Sequence, residues 1–464
     1  MRNSTDARRS ILCRGWWPRP AARWAVAWLA ATAIGLPASL VAAEPHHGSV
    51  VTVEGNSETG FRLLRNGEPF VIHGVGGTAD LELLAACGGN AVRTWHLASV
   101  EPPVKGKSFL DRAQEHGLAV TVGIWLGHER HGFRYDDPEQ VERQRAMVEA
   151  AVRKVKDHPA VLIWGLGNEM EGPSGTGDSA LVWREVGHLA ALIKRLDPNH
   201  PVMTVVANVN PAKLAAITAH APAIDILGVN AYAGAAGIGA ALRDHGWQKP
   251  YCVTEYGPPG PWEVPETDWQ APIEPSSRAK AAIYNASTKA ILADTARGGP
   301  ADRPPRCLGC FAFLWGAKQE ATATWFGMLL PSGEKTLVVD AMTDAWTGRW
   351  PANRAPVLRQ HDVPLAGRRL EPGQTVAVEV TYKDPEGDQL TYEWEVVKES
   401  TDRREGGDAE ARPDSVPGCI SEADDEGRAT VTLPATPGGY RLFVTVRDGH
   451  GSGCSDNWPF FVNP

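Results

Sequence analysis

Eight short apolar runs, at residues 70–75, 91–95, 118–126, 160–166, 201–207, 225–231, 250–254 and 307–316, recur along the chain with polar–apolar segments between them. A run that stays apolar on successive residues reads as a strand buried on both faces, as in a parallel sheet. The segments 137–157, 180–196, 212–221 and 276–297 have helical spacing, a last helix fits 338–347, and a weaker stretch, 107–116, follows the second run. Eight strand–helix units over about 280 residues predict a closed (β/α)8 TIM barrel, an α/β fold. The other α/β arrangement, a doubly wound open sheet, ordinarily carries a glycine-rich phosphate loop after its first strand. The segment His73-Gly74-Val75-Gly76-Gly77 does not match that loop.

Beyond residue 355 the helical spacing stops. Alternating segments at 375–382, 390–397, 429–433 and 440–447 are separated by turn-rich pieces, among them Asp384-Pro385-Glu386-Gly387-Asp388 and Asp448-Gly449-His450-Gly451. Residues 356–464 therefore predict a small all-β, immunoglobulin-like sandwich, joined by a linker at 349–355. The charged segment 400–421 reads as a long mobile loop. Cys419 and Cys454 fall in this module, where a disulfide and two free thiols are both open readings. Cys307 and Cys310 form a C-x-x-C, but no second pair completes a zinc site.

The first 43 residues predict an address. Six arginines precede an apolar run at 24–43, which ends in Val41-Ala42-Ala43 before Glu44. That is a secretory signal peptide with cleavage after Ala43, so a secreted or envelope location is expected, with a catalytic domain over 44–348. No later run is long and apolar enough to span a membrane. The part after residue 43 carries 40 basic and 54 acidic residues, a net charge of −14. Such a body repels phosphate backbones, which argues against a nucleic-acid partner. Thirteen tryptophans in the same part require a large core, flat stacking surfaces, or both.

In a barrel of this kind the catalytic groups project from the C-terminal ends of the strands. The fourth run ends in Gly165-Leu166-Gly167-Asn168-Glu169, and the seventh in Val253-Thr254-Glu255-Tyr256-Gly257. Two carboxylates thus face one mouth from opposite sides. Cleavage of a glycosidic bond needs that pair: one protonates the leaving oxygen while the other attacks or activates water.

With those residues in view, the chain resembles the clan A retaining β-glycoside hydrolases, and most closely the barrel of glycoside hydrolase family 2. Residues 158–169 (HPAVLIWGLGNE) resemble that family's acid/base strand, and 249–257 (KPYCVTEYG) its nucleophile strand. Residues 90–96 (NAVRTWH) resemble its second strand, and 196–202 (LDPNHPV) the approach to its fifth. The resemblance implies Glu169 as general acid/base and Glu255 as nucleophile. Asn168 would bind the sugar 2-hydroxyl, Arg93 and Tyr232 would orient the nucleophile, His96 would contact substrate, and Trp315 would stack on the sugar. Trp95, Trp125, Trp262 and Trp269 are candidates to extend that platform, and His128, Glu129 and His131 read as a solvated loop, not a metal site.

The resemblance implies hydrolysis of a β-linked oligo- or polysaccharide by double displacement, with no cofactor required. Two other readings are a cell-wall transglycosylase using the same glutamates and a catalytically silent carbohydrate-binding envelope protein. The family's usual sandwich domains before the barrel are missing, and the loop after the first strand lacks the family's asparagine. The C-terminal module resembles polycystic-kidney-disease-like or cadherin-like sandwiches. Asp384, Asp388 and Asp448 are candidates to share a structural calcium ion there, and the module reads as a spacer or glycan-adhesion unit.

Overall fold

The structure is a computed structural model that describes residues 48–100, 106–171, 176–296, 303–404 and 406–464. The expected signal segment lies outside these residues.

Eight strands close a parallel barrel: β4 (Ile72–Gly77), β5 (Ala91–Arg93), β6 (Ala119–Ile124), β7 (Val161–Leu166), β8 (Val202–Ala207), β9 (Ile226–Asn230), β10 (Tyr251–Glu255) and β11 (Cys307–Trp315). They follow one another in chain order around the ring, with β11 paired to β4. Every residue of β6, β7, β9 and β10 is buried, as unbroken apolar runs require. Around them pack α1 (Leu81–Ala86), α2 (Phe109–Glu115), α3 (Pro138–Val155), α4 (Ala180–Leu196), α5 (Pro211–His220), α6 (Ile238–Asp244), α7 (Ser277–Leu292) and α8 (Leu337–Thr347).

The helix starts are chemically specified. Asp137 caps α3 by accepting the N–H groups of Glu139 and Gln140, and Pro138 takes the first helical position, where a missing N–H costs nothing. Val141, Gln144, Val148, Ala151 and Val152 then recur at helical spacing on the buried face.

One element departs from expectation. A three-stranded antiparallel meander, β1 (Val51–Asn56), β2 (Gly60–Arg65) and β3 (Glu68–Phe70), precedes the barrel. Its Val51, Phe61 and Leu63 join Ile72, Ala91, Ile163, Met203 and Ile226 in one buried cluster. The meander thus seals the end of the barrel opposite the carboxylates. Because residues 68–70 pair with β2, the first barrel strand starts at Ile72, two residues after the expected position.

The C-terminal sandwich stacks two four-stranded sheets. One comprises β12 (Val357–Asp362), β14 (Thr375–Lys383), β17 (Arg428–Thr432) and β16 (Ile420–Ser421); the other comprises β13 (Arg369–Leu370), β19 (Gly453–Val462), β18 (Gly438–Arg447) and β15 (Thr391–Lys398). Strand β14 alternates buried and exposed residues along its whole length, so one face enters the core and the other meets solvent. Cys419 and Cys454 are buried free thiols, not a disulfide.

The sandwich is bonded to the barrel. Asp456 accepts the N–H and the hydroxyl of Ser277, at the start of α7, both at 2.7 Å, and also the Tyr382 hydroxyl at 2.6 Å. Asn457 donates to Glu274 at 2.7 Å, and Arg441 donates to the Pro272 carbonyl at 2.6 Å. Burial alone would raise the Glu274 pKa, but the Lys280 ammonium at 2.6 Å and the Thr322 hydroxyl hold it below its usual range. A spacer would not need this many buried polar contacts.

Candidate active site

The carboxyl ends of the strands surround a cleft of about 880 Å³. Glu255 closes β10, and its carboxylate is 6% exposed. Three donors converge on it. Arg93 Nη1, from the end of β5, lies 2.7 Å from Oε1; Trp95 Nε1 donates to the same oxygen at 2.8 Å; and the Tyr232 hydroxyl donates to Oε2 at 3.0 Å. Three donors on one carboxylate fix its orientation in the cleft. Burial and the neighbouring carboxylates push the Tyr232 phenol well above 10, which keeps it protonated as a donor.

Glu169 follows β7 with a left-handed backbone, φ 52°, after Gly167 at φ 75°. Side chains rarely accept that conformation, and here it turns the carboxyl into the cleft. Burial raises its pKa to about 7, and the Glu255 charge adds to the rise. Asn230, the last residue of β9, opposes this by donating to Glu169 Oε1 at 2.8 Å. The Thr254 hydroxyl donates to Asn230 Oδ1 at 2.8 Å and so fixes which end of the amide faces the carboxyl. Asn168 Oδ1 accepts from both Arg93 Nη2, at 2.6 Å, and Asn230 Nδ2, at 3.2 Å. Its amide nitrogen is thereby left to face a ligand. The arrangement supplies one carboxylate held by three donors, one carboxyl poised to exchange a proton near neutral pH, and an oriented amide between them.

Arg93, Asn168, Glu169, Tyr232 and Glu255 are thus brought into one hydrogen-bonded network, and His96 lines the same cleft. Trp315 is not part of it. Its ring is 1% exposed and its N–H donates to the Asp80 carbonyl at 3.0 Å, so it has no free face for a sugar. Phe313 and Leu314 line the cleft, whereas Trp315 is turned into the barrel wall, past a register shift between Phe313 and Trp315 that breaks the alternation of β11. Trp262, 62% exposed and edge-on to Tyr232 at 5.6 Å, offers the open indole face instead. Trp269 packs on Phe461 and Arg369 of the sandwich, away from the cleft.

Two contributions go beyond the sequence reading. Asn230 was visible only as an asparagine at a strand end. Trp95 was a candidate for the sugar-stacking platform, not a donor to Glu255; the signal for that role is Gly76, where a Cβ would come within 2.9 Å of its indole. That space lets the ring lie beneath the Glu255 carboxylate.

The segment 128–131 is not simply solvated. His96, Trp125, His128 and His131 form a file of rings with successive centroids 4.6, 4.8 and 5.7 Å apart. His128 is buried, which lowers its pKa to about 4, with the Arg130 charge adding to the fall. The charged segment 400–421 is likewise more than a mobile loop, because residues 403–404 and 406–410 form part of the cleft wall.

At the turns of the sandwich that meet the linker, ligand atoms of Asp384, Asp388 and Asp448 lie within 4.8 Å of one another. Asp384 is 4% exposed. Its Oδ1 accepts the N–H groups of Glu386, Gly387 and Asp388, whereas Oδ2 is buried without a partner. An orphaned carboxylate oxygen beside two further carboxylates suits a hard, oxygen-seeking cation.

Comparison with known proteins agrees with this geometry. Residues 71–259 match the family described as Glycosyl hydrolases family 2, TIM barrel domain. The chain is 29% identical over 192 residues to a β-glucuronidase of Pongo abelii, covering 37% of this chain and 26% of that one. It is 32% identical over 142 residues to a β-galactosidase of Arthrobacter sp. (strain B7), covering 25% and 13%. Among solved structures, a GH2 β-galacturonidase from Eisenbergiella tayi bound to galacturonate aligns with TM-score 0.49 and 17% identity, over 65% of this chain and 54% of that one. The chain spans about a quarter of the length of the curated β-glucuronidases it matches. Its barrel, with Glu169 and Glu255 at the ends of β7 and β10, is thus similar over residues 71–259 to the TIM barrel domain of glycosyl hydrolases family 2.

Proposed function

We propose that the protein is an exported, retaining β-glycoside hydrolase acting by double displacement. The observation that carries this reading is the contrast between the two carboxyl groups: Glu255 is held by three donors, whereas burial keeps Glu169 protonated up to about pH 7. In the first step Glu255 attacks the anomeric carbon, and Glu169 gives its proton to the leaving oxygen. A glycosyl ester forms and the glycosidic bond breaks. The ester carries no charge, so the Glu255 contribution to the raised Glu169 pKa vanishes and Glu169 becomes a competent base. It then takes a proton from water, the hydroxide oxygen attacks the anomeric carbon, and Glu255 leaves as a carboxylate. Asn168 would bind the sugar 2-hydroxyl, and Trp262 would cover an apolar sugar face. Similarity to proteins named β-glucuronidase, β-galactosidase and mannan endo-1,4-β-mannosidase supports a β-linked substrate. Among the described residues no helix is long and apolar enough to cross a membrane.

The test is chemical rescue. Glu255→Gly abolishes turnover, a loss of several orders of magnitude in kcat, and azide restores it on an activated aryl glycoside with a glycosyl azide of inverted configuration as product. Glu169→Ala still forms the intermediate from substrates with good leaving groups and then stalls. Inversion at the anomeric carbon in the wild-type reaction, read by proton NMR, would overturn the retaining mechanism.

The same chain is proposed to hold a structural calcium ion through Asp384, Asp388 and Asp448. The ion's charge would neutralise the three carboxylates and tie two turns of the sandwich together.

A further inference from the structure

Three loops of the barrel are held by one loop of the sandwich, between β15 and β16. Asp408 Oδ2 lies 3.0 Å from His131 Nε2, with Arg130 3.8 Å from the other oxygen, in the loop after β6. After β11, Lys318 donates to the Gly407 carbonyl at 2.9 Å, and the Ala321 N–H donates to Glu410 at 2.7 Å. After β10, Arg403 donates to the Gln270 carbonyl at 3.1 Å. The loop is also braced internally: Arg404 donates through Nε to Asp402 at 2.5 Å and through its backbone N–H to Glu410 at 3.1 Å. Gly406, at φ 62°, approaches Arg130 so closely that a Cβ would lie 2.5 Å from its guanidinium.

The position of these anchors on the ring decides what the loop does. In the barrel order, β4 and β5 lie between β11 and β6. Only a short turn, residues 78–80, follows β4 before α1 begins. A segment tied after β11 and again after β6 therefore bridges the mouth past β4, where the barrel's own loop is only those three residues. On the inner side of that span stands the ring file from His96 to His131, which ends on Asp408.

We propose that residues 402–404 and 406–410 of the sandwich are a specificity-determining wall: they close the catalytic cleft between the loops that follow β11 and β6, so that a β-linked chain enters by its end and not across the cleft. The proposal rests on the glycoside hydrolase reading. The wall comes from a separate sheet domain, so the sandwich completes the substrate site and does not merely tether it. Arg404 and Glu410 are the side chains of the wall placed to meet hydroxyl groups of the bound sugar, since both line the cleft while braced by one another.

The test compares wild type with a variant in which 403–409 is replaced by Gly-Ser-Gly, using reducing-end-labelled β-linked hexasaccharides of glucose, mannose, galactose and glucuronic acid. Wild type is expected to release single sugars from one end. The shortened loop is expected to give internal fragments and to raise the rate on polymer, relative to an aryl monosaccharide, by about tenfold or more. Asp408→Ala combined with Glu410→Ala removes two anchors without shortening the chain, and it should move the product pattern in the same direction. Identical product patterns and rate ratios in all three proteins would overturn the wall. Calorimetric binding of the same hexasaccharides separates the two readings. Binding that weakens or changes stoichiometry with the loop, but no sugar release by any protein, would overturn hydrolysis and keep the wall. Binding unaffected by the loop would overturn the wall alone, and no binding by any of them would overturn both.

Discussion

The Trp95 indole donates to Glu255 Oε1 at 2.8 Å, on the oxygen that Arg93 already holds at 2.7 Å. Two donors on one carboxylate oxygen leave the other, Oε2, with the Tyr232 hydroxyl alone. The carboxylate is thereby fixed in rotation. The Arg93 guanidinium also lies 5.2 Å from the Trp95 ring, so the two donors brace each other.

Trp95→Phe keeps the ring and removes the donor. A hydrogen bond to a charged group is worth about 1.5–3 kcal/mol, so kcat/KM should fall roughly 10- to 100-fold. Steady-state kinetics on an aryl glycoside reads the loss, and an unchanged melting temperature assigns it to the site. An equal loss of stability would make Trp95 a packing residue only.

The acid limb and the basic limb of the pH profile belong to different residues. Activity requires protonated Glu169, so kcat/KM should decline as pH rises through about 7. Asn230 donates to the ionised form and so lowers the Glu169 pKa. Removing that donor in Asn230→Ala leaves the carboxylate less stable, and the basic limb should move to higher pH. A shift to lower pH would assign the limb to another group.

Asp456 joins the two halves of the molecule through Ser277 and Tyr382. Asp456→Ala leaves three buried donors without an acceptor, at a cost of about 3 kcal/mol or more. Calorimetry should show a lower melting temperature for the barrel as well as for the sandwich. For the same reason, deleting 356–464 should destabilise the barrel and not merely reduce action on insoluble material.

Calcium added to chelator-treated protein should raise the melting temperature, by the equivalent of about 2.7 kcal/mol at a hundredfold excess over its Kd. Asp384→Asn should abolish the rise while leaving the barrel folded. A rise that survives the substitution would place the ion elsewhere.

The barrel was legible in the sequence because a strand buried on both faces must be apolar throughout, and eight such runs with helices between them admit few closures. Glu169 and Glu255 were legible for a related reason: strand ends are where such a barrel exposes chemistry, and both residues sit at the point where an apolar run stops. The meander β1–β3 was not, because its short, half-polar strands have no period long enough to distinguish them from a loop.

What the tertiary structure decided was direction and distance. Along β11, a register shift between Phe313 and Trp315 breaks the regular alternation that would put both rings on one face, so that Trp315 is buried and Phe313 lines the cleft. Asn230 acquires its role only because β9 lies beside β10, where Thr254 can orient its amide toward Glu169. Residues 403–404 and 406–410 are remote in sequence from both glutamates, and no local pattern relates a sandwich loop to a barrel mouth. Their place in the cleft follows from how two separately patterned domains pack, which depends on paired surfaces such as Asp456 with Ser277 and not on the periodicity of either.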